Sequence, residues 1–328
     1  MMLSRRPSRS SRCVTVKLHP LCLCGSGIRP LKNNPIRSFS MSNPLVTVII
    51  ASYNHAPYIE ASVRSVLQQT YSNIELLVID DGSKDGSVEL LRALQAEAGF
   101  DFVAQSNQGL SRTLNEAISR AKGSLIVPFG SDDIMFPQRI ATQVAYMEGK
   151  PEVGICSANI EIIDQDGKVM GGREQRKRNL PFRRLDFDDL FLDRKPGPMA
   201  ATLMFRIEAL RKVGGFDPEI RLEDLYIELA VARAGYFIDV LGEPLAQYRK
   251  HATNTYKNQR FMYDNVLRTF AIFHDHPAYE AVCMDFRNSM MLKTAGRDKR
   301  LSREILSHIP LRYWNKKTFR GMIRLIVA

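Results

Sequence analysis

Two adjacent carboxylates follow a short apolar segment near the middle of the chain. Residues 123–129 are typical of a buried strand opened by a glycine, and the chain continues as Gly130-Ser131-Asp132-Asp133. The carboxyl end of such a strand is a common ligand-binding edge in open α/β sheets. Two carboxylates this close need a compensating positive charge, which a divalent cation bridging to a phosphate would supply. The alternative is an ordinary turn in which Asp132 is a cap and Asp133 is solvated.

Three further polar clusters lie where a strand is predicted to end or a helix to begin. They are Ser52-Tyr53-Asn54, Asp80-Asp81-Gly82-Ser83 and Glu223-Asp224. Each also has a purely structural explanation, as a core tyrosine, a turn with a helix cap, or acids at a helix N-terminus. Taken singly, none of the three clusters decides a function.

Strands and helices are predicted to alternate through the first half of the folded region. Apolar β-branched runs predict buried strands, and apolar residues at helical spacing predict the helices between them. The predicted strands are 45–51, 74–79, 102–103 and 123–129, and the predicted helices are 58–69, 88–96 and 110–121. This alternation predicts an α/β fold with a mostly parallel sheet flanked by helices.

The second half has a less regular pattern. It predicts a helix from Pro137 to Met147, a polar loop at 171–181, and a helix from 222 to about 235. Further strands are predicted at 154–158, 161–163, 199–205 and 237–241. Tyr248-Arg249-Lys250-His251 is expected to close the sheet, and the chain from Met262 onward is expected to be helical.

Charge is unevenly distributed along the 328 residues, whose net charge is +11. The first 40 residues contain eight Lys or Arg and no acid, and residues 297–328 contain nine basic and two acidic residues. The segment between them is therefore slightly acidic, which argues against a nucleic-acid partner. Five cysteines, three of them in the N-terminal segment, indicate reduced thiols. No apolar run reaches the roughly 18 residues of a spanning helix.

The sequence divides into three predicted regions. Residues 1–43 are expected to be a disordered basic leader or an over-called start, since Met41 precedes the first predicted strand. Residues 44–255 form the predicted α/β domain, and residues 256–328 a helical, basic C-terminal extension.

In this order the motifs resemble those of the family 2 glycosyltransferases, inverting enzymes of the GT-A fold. The matching stretches are 46–54, 65–71, 75–83, 107–111 with Asn115, 214–217, 223–224 and 248–254. The resemblance covers about residues 45–255. It implies transfer of a sugar from a nucleotide-sugar donor to a hydroxyl of a glycan or lipid-linked acceptor, in cell-surface polysaccharide synthesis.

The resemblance also implies roles for single residues. Asp81 would accept a hydrogen bond from the nucleotide base, and Asp132 would contact the ribose or donor sugar. The nucleotide-sugar-binding residues would be Ser52, Tyr53, Asp80, Asp81, Asn107, Gly109 and Asp132. Asp133 and His251 would hold Mn²⁺ or Mg²⁺, which neutralises the diphosphate leaving group. Asp224, beside Glu223, would take the proton from the acceptor hydroxyl.

Two departures from the family pattern bear on these roles. Many relatives carry an Asp where this chain has Gly130, which makes metal use less secure. Many also carry an Arg where this chain has Leu114, and here Arg112 lies two residues earlier. A non-catalytic nucleotide-sugar-binding relative with a decayed metal site is therefore the alternative function, and a membrane-surface scaffold is a second one.

The C-terminal stretch from Leu301 to Val327 mixes apolar residues with Lys and Arg. This composition is typical of a helix in a membrane interface, although a basic helix packed on the domain fits equally well. The expected location is the cytoplasm, with peripheral contact to the inner face of the membrane.

Overall fold

One mixed β-sheet organises the part of the chain that the computed structural model describes, residues 43–176, 179–252 and 254–327. Its strands are β1 (Val46–Ser52), β2 (Ile74–Asp80), β3 (Asp101–Ala104), β4 (Leu125–Gly130), β5 (Ile134–Met135), β6 (Val153–Ile163), β7 (Arg183–Leu185), β8 (Met204–Arg206) and β9 (Phe237–Arg249). They lie in the order β3-β2-β1-β4-β8-β6-β9-β5, and β7 also pairs with β9. The predicted leader lies outside these residues except for Asn43.

The parallel half of the sheet consists of β3, β2, β1 and β4. In its register Ser52 lies opposite Asp80, and Ala51 lies opposite Gly130. The carboxyl ends of three strands therefore meet at one edge. Each polar motif of the first half of the chain begins at that edge.

Helices cover both faces of this half. Along β1 the side chains alternate, so that Val48 and Ile50 belong to one apolar cluster with residues of α1 (Ile59–Leu67) and α2 (Ser87–Ala98). Ile49 faces the opposite cluster, which contains Leu114 of α3 (Leu110–Arg120). The continuous β-branched run thus predicts this strand correctly, because a strand buried on both faces has no polar side.

The antiparallel half differs from the sequence-based expectation. The two strands predicted at 154–158 and 161–163 are the single strand β6, and the chain from 237 to 249 is the single strand β9. The segment 199–205 is a 3₁₀ turn (Ala200–Thr202) followed by β8. The prediction was wrong here because polar residues within both long strands interrupt the apolar sequence pattern.

Further helices surround the antiparallel half. They are α4 (Arg139–Met147), α5 (Arg173–Arg176), α6 (Phe187–Phe191), α7 (Ile207–Val213) and α8 (Glu223–Arg233). The pattern predicted α4 and α8. It missed β7, α6 and α7, and the predicted polar loop at 171–181 contains α5.

The C-terminal region is helical, as predicted. Its α-helices are α9 (Gln259–Ala271), α10 (Tyr279–Thr294), α11 (Lys299–Ser307) and α12 (Lys316–Val327). They bury a separate cluster that includes Tyr263, Met291 and Ile305. No helix in the described chain combines the length and apolarity needed to cross a membrane. The predicted boundary between the α/β domain and this extension stays a prediction.

Candidate active site

The loops after β1 and β2 are joined by short polar contacts. The backbone N–H of Asp81 donates to the Ser52 carbonyl (2.8 Å). The fully buried Asp80 carboxylate accepts from the backbone N–H (2.8 Å) and the hydroxyl (2.7 Å) of Ser83. Asp80 therefore shapes the turn from within. The buried Ser52 hydroxyl has no hydrogen-bond partner among the described residues.

Asp81 fixes the loop that leads into α3. Its Oδ1 accepts from the backbone N–H of Gln108 (3.0 Å), and its Oδ2 accepts from that of Gly109 (2.9 Å). The side chain of Gln105 also donates to Oδ1 (2.9 Å). Gly82, with φ of +83°, lies so close to this loop that a Cβ would stand 2.8 Å from the Asn107 nitrogen. The Asp81 carboxylate thus fixes the loop that carries the predicted nucleotide-binding residues Asn107 and Gly109.

Tyr53 lies at the rim of an open cavity of about 730 Å³. Its side chain is 49% exposed, and the cavity is also lined by Gly109, Arg112 and Glu223. A half-exposed ring beside a backbone loop can stack on a planar ligand. The core-tyrosine explanation of Tyr53 is therefore wrong.

The two adjacent carboxylates are enclosed by protein. Asp133 is buried, and its Oδ1 accepts from the backbone N–H of Arg249 (2.9 Å). The guanidinium of Arg249 donates to the Asp132 carbonyl (2.8 Å). A Cβ on Gly130 would lie 2.9 Å from an oxygen of each carboxylate. Glycine at this position therefore leaves space for both carboxylates.

Two arginines place positive charge near the buried acid, where the sequence pattern had suggested a divalent cation. Burial and the neighbouring Asp132 charge raise the pKa of Asp133 well above its usual range, and the charges of Arg139 and Arg249 oppose that rise. Arg139 is fully buried and donates to the carbonyls of Ala201 (2.8 Å) and Leu203 (3.3 Å). Sequence reasoning missed Arg139, because nothing in a helical pattern marks an arginine as buried.

A cluster of two histidines and one carboxylate lies beside the acid pair. His251 Nε2 is 2.8 Å from Asp132 Oδ2, and His55 Nδ1 is 2.7 Å from the Ser131 hydroxyl. One donor atom from each of His55, Asp132 and His251 lies within 4.8 Å of the others, a spacing that could hold a metal ion. Burial lowers the pKa of His55, which favours the neutral, metal-binding form.

The cluster of His55, Asp132 and His251 differs from the predicted metal ligands, which were Asp133 and His251. His251, one of the predicted ligands, belongs to the cluster, and its surface-histidine alternative is wrong because the residue is buried. Asp133 lies beside the cluster with one oxygen already bonded to protein. His55 was not predicted, and the only signal for it in the sequence is its place directly after the Ser52-Tyr53-Asn54 motif.

The second acid pair faces the same space. Glu223 and Asp224 begin α8 and line a cavity of about 240 Å³ together with Asp132 and Asp133. Burial and the charge of Asp224 raise the pKa of Glu223 to about 8. Burial also raises the pKa of Asp224. A carboxylate with a raised pKa in a cleft can act as a general base near neutral pH.

Other wall residues connect the motifs of the family resemblance. The Asn115 side chain donates to the Phe216 carbonyl (2.7 Å) and accepts from the Phe216 N–H (2.9 Å), which ties α3 to the 214–217 turn. Phe216 and Leu114 both line the smaller cavity.

Leu110 and Glu223 line both cavities, so the two spaces adjoin. Arg112 lines the larger one and pairs with Glu219 (3.5 Å).

Comparison with known proteins agrees with this architecture. The family model described as Glycosyl transferase family 2 matches residues 47–214. The chain belongs to glycosyltransferase family 2. This glycosyltransferase is 31% identical over 218 residues to an uncharacterized glycosyltransferase of Nostoc sp., covering 64% of its own chain and 66% of that protein. It is 28% identical over 229 residues to the O-antigen biosynthesis glycosyltransferase WbnJ of Escherichia coli, covering 67% and 85%.

Solved structures show that the fold of this glycosyltransferase is the GT-A fold. S. aureus TarS 1–349, solved with UDP-GlcNAc, superposes with a TM-score of 0.62 at 15% identity over 82% of each chain. The mannosyltransferase PcManGT of Pyrobaculum calidifontis, solved with GDP-Man and Mn²⁺, gives a TM-score of 0.53 at 18% identity over 86% of this chain and 85% of that one.

Proposed function

We propose that the enzyme transfers a sugar from a nucleotide-sugar donor to an acceptor hydroxyl with inversion. The observation that carries the proposal is that one cavity is lined by both acid pairs, Asp132 with Asp133 after β4 and Glu223 with Asp224 at the start of α8. Asp132 and Asp133 would lie near the departing diphosphate, and Glu223 and Asp224 would lie near the incoming hydroxyl. The ligands named for TarS and PcManGT, UDP-GlcNAc and GDP-Man, are both nucleotide sugars, which supports this class of donor.

The donor would extend across the two adjoining cavities. Its base would stack on Tyr53 beside the loop that Asp81 holds, and its sugar would enter the smaller cavity. The diphosphate would lie between them, near Asp132. The direct contact between Asp81 and the base is part of the proposal, since three protein donors leave its carboxylate about one of its four acceptor positions.

A divalent cation fits the residues present. His55, Asp132 and His251 offer two imidazoles and a carboxylate, a donor set that suits Mn²⁺ better than Mg²⁺, which prefers oxygen ligands. We therefore assign Asp132 as the carboxylate ligand and give Asp133 a supporting place behind it. When bound, the metal would supply Lewis-acid stabilisation of the diphosphate charge.

Protein side chains would assist the transfer of the sugar itself. Asp224 takes the proton of the acceptor hydroxyl while that oxygen attacks the anomeric carbon. The bond between that carbon and the diphosphate oxygen breaks on the opposite side, and its electron pair leaves with the nucleoside diphosphate. Glu223 carries a proton at neutral pH, because its pKa is about 8, and so it adds no second charge beside Asp224.

The acceptor is proposed to be a glycan or a lipid-linked glycan in the synthesis of a cell-surface polysaccharide. The described role of WbnJ in O-antigen biosynthesis supports this class. Transfer would take place in the cytoplasm, at the inner face of the membrane.

A screen of nucleotide sugars tests the donor and the metal together. Melting temperature is measured for the full chain with each donor, with and without Mn²⁺, and hydrolysis of stabilising donors is then followed. A metal-dependent shift with slow hydrolysis is expected. A shift without any turnover, even with glycan acceptors present, would instead favour the non-catalytic relative.

A further inference from the structure

Helix α12 divides its surface into three stripes along its length. The buried or half-buried stripe contains Thr318, Gly321, Met322 and Leu325 at three- and four-residue spacing. Gly321 packs against Met291 of α10, and Met322 and Leu325 join the C-terminal apolar cluster. One side of the helix is therefore already covered by the protein.

A second stripe of α12 is apolar and exposed. Its side chains are Phe319 (53% exposed), Ile323 (60%), Ile326 (83%) and Val327 (80%). At 3.6 residues per turn these four positions fall on one side of the helix, adjacent to the packed stripe. Leu311, just before α12, is also apolar and 76% exposed. Exposed apolar side chains that lie together, rather than singly, mark an interaction surface.

The third stripe is basic and borders the apolar one. Lys316, Arg320 and Arg324 are exposed on successive turns of α12. The segment from 297 to 327 carries nine basic and two acidic residues, so this part of the chain is strongly positive. Apolar and basic stripes side by side on a surface helix are the arrangement of helices that lie in a membrane interface.

We propose that α12 docks the enzyme onto an anionic lipid bilayer. The apolar stripe enters the boundary between headgroups and acyl chains, and the basic stripe contacts the negative headgroups. Helix α12 carries four basic residues among its 12, and its exposed apolar side chains lie on one side only, so it would lie in the plane of the membrane and not cross it. The proposal gives a location for the proposed transfer but does not depend on that chemistry.

Charge argues against a second copy of the chain as the occupant of this face. An antiparallel two-fold contact between two apolar stripes would place the basic stripes of both copies on the same side of the contact, where like charges repel. An anionic bilayer offers acyl chains to the apolar stripe and negative headgroups to the basic stripe. The positive charge of α12 therefore favours a lipid surface over self-association.

Vesicle sedimentation of the full chain tests the proposal. Binding is compared between neutral phosphatidylcholine vesicles and vesicles with about one third phosphatidylglycerol. We expect binding to the anionic vesicles, weakened by salt, and a loss of about tenfold or more both in Phe319→Ser/Ile323→Ser and in Lys316→Gln/Arg320→Gln. Matched controls are Phe182→Ser, another exposed apolar side chain, and Arg92→Gln/Arg120→Gln, two exposed arginines on other helices.

Three results would overturn the proposal. They are equal binding to neutral vesicles, retention of binding in both α12 variants, and a concentration-dependent dimer in lipid-free buffer that Phe319→Ser/Ile323→Ser abolishes. The melting temperature and donor binding of each variant are measured in the same preparation. A variant that binds donor normally but no longer binds vesicles separates this surface from the catalytic function.

Discussion

At the scale of single residues, the role of Asp224 gives the sharpest test. If its carboxylate removes the acceptor proton, Asp224→Asn should lower the transfer rate by about 10²–10⁴. Donor affinity should barely change, because the residue acts on the acceptor side of the cavity. Transfer rate, donor binding and melting temperature are measured on the same purified variant. Near-normal transfer with a lowered melting temperature would show that Asp224 is only a helix-start acid, whose loss costs about 0.5–2 kcal/mol.

Glu223 provides the matched comparison, since its pKa of about 8 leaves it protonated at pH 7. Glu223→Gln resembles that protonated form, so we expect transfer close to normal at pH 7. Transfer that collapses in Glu223→Gln but persists in Asp224→Asn would reverse the two roles.

The raised pKa of Glu223 also makes a prediction about stability. Between its unperturbed pKa and about 8 the folded protein keeps this proton while the unfolded chain releases it, so Glu223 makes folding less favourable as pH rises through that window. Glu223→Gln removes this pH-dependent loss of stability. Its melting temperature relative to wild type should therefore increase steadily from pH 5 to pH 8. The exposed Glu208→Gln serves as the control, and a flat difference for Glu223→Gln would contradict the assignment.

The metal ligands can be distinguished by two isosteric changes. Asp132→Asn should weaken Mn²⁺-dependent nucleotide binding by about tenfold to hundredfold, because this carboxylate lies beside His55 and His251. Asp133→Asn should have a smaller effect, because an amide oxygen can still accept the Arg249 N–H. Calorimetric titration with and without Mn²⁺ measures both. The opposite ranking would restore Asp133 as the ligand, as the family resemblance implies.

Sequence reasoning found the acids of the site but not their partners. Motif order located Asp132, Asp133, Glu223 and Asp224 at the ends of strands and the start of a helix, where the structure has them. It missed His55 and Arg139. Their importance comes from burial and from contacts with residues far along the chain, and local pattern carries neither.

At the scale of elements, Asp81 should affect both stability and donor binding, because its carboxylate holds the loop before α3. Asp81→Asn keeps one carbonyl acceptor but loses the charged oxygen that accepts the Gly109 N–H. We expect a loss of about 1–3 kcal/mol in the free energy of unfolding together with weaker donor binding. Urea unfolding and nucleotide titration measure the two effects, with the exposed Asp101→Asn as control. Lower stability with unchanged donor affinity would separate the loop from the nucleotide site.

The parallel strands were predictable because each is a nearly continuous apolar run between turn residues. The antiparallel half was not. Asn159 interrupts the apolar run of β6, yet its side-chain amide donates to the carbonyls of Leu180 (2.6 Å) and Gly242 (2.8 Å) and so suits a buried strand. The three-residue strand β7 is too short and too basic to show a period, and its pairing with β9 decides its conformation.

At the scale of the whole molecule, the first 40 residues are predicted to be dispensable. Their composition lacks an apolar period, and Met41 offers an alternative start. A chain beginning at Met41 should keep the melting temperature and the transfer rate of the full chain. Differential scanning calorimetry and an activity assay compare the two, and a fall of several degrees would show that the segment packs on the body.

The strand β9 has a consequence for how the enzyme is made. Its C-terminal end supplies Arg249 and leads to His251, which contact Asp133 and Asp132 across 116 and 119 residues of chain. During translation the acid pair therefore leaves the ribosome long before Arg249 and His251 have been made. Contacts so distant in sequence require a large loop to close before they can form. The site is completed only after residue 251 has emerged, so prematurely terminated chains that end before it are expected to be inactive rather than partly active.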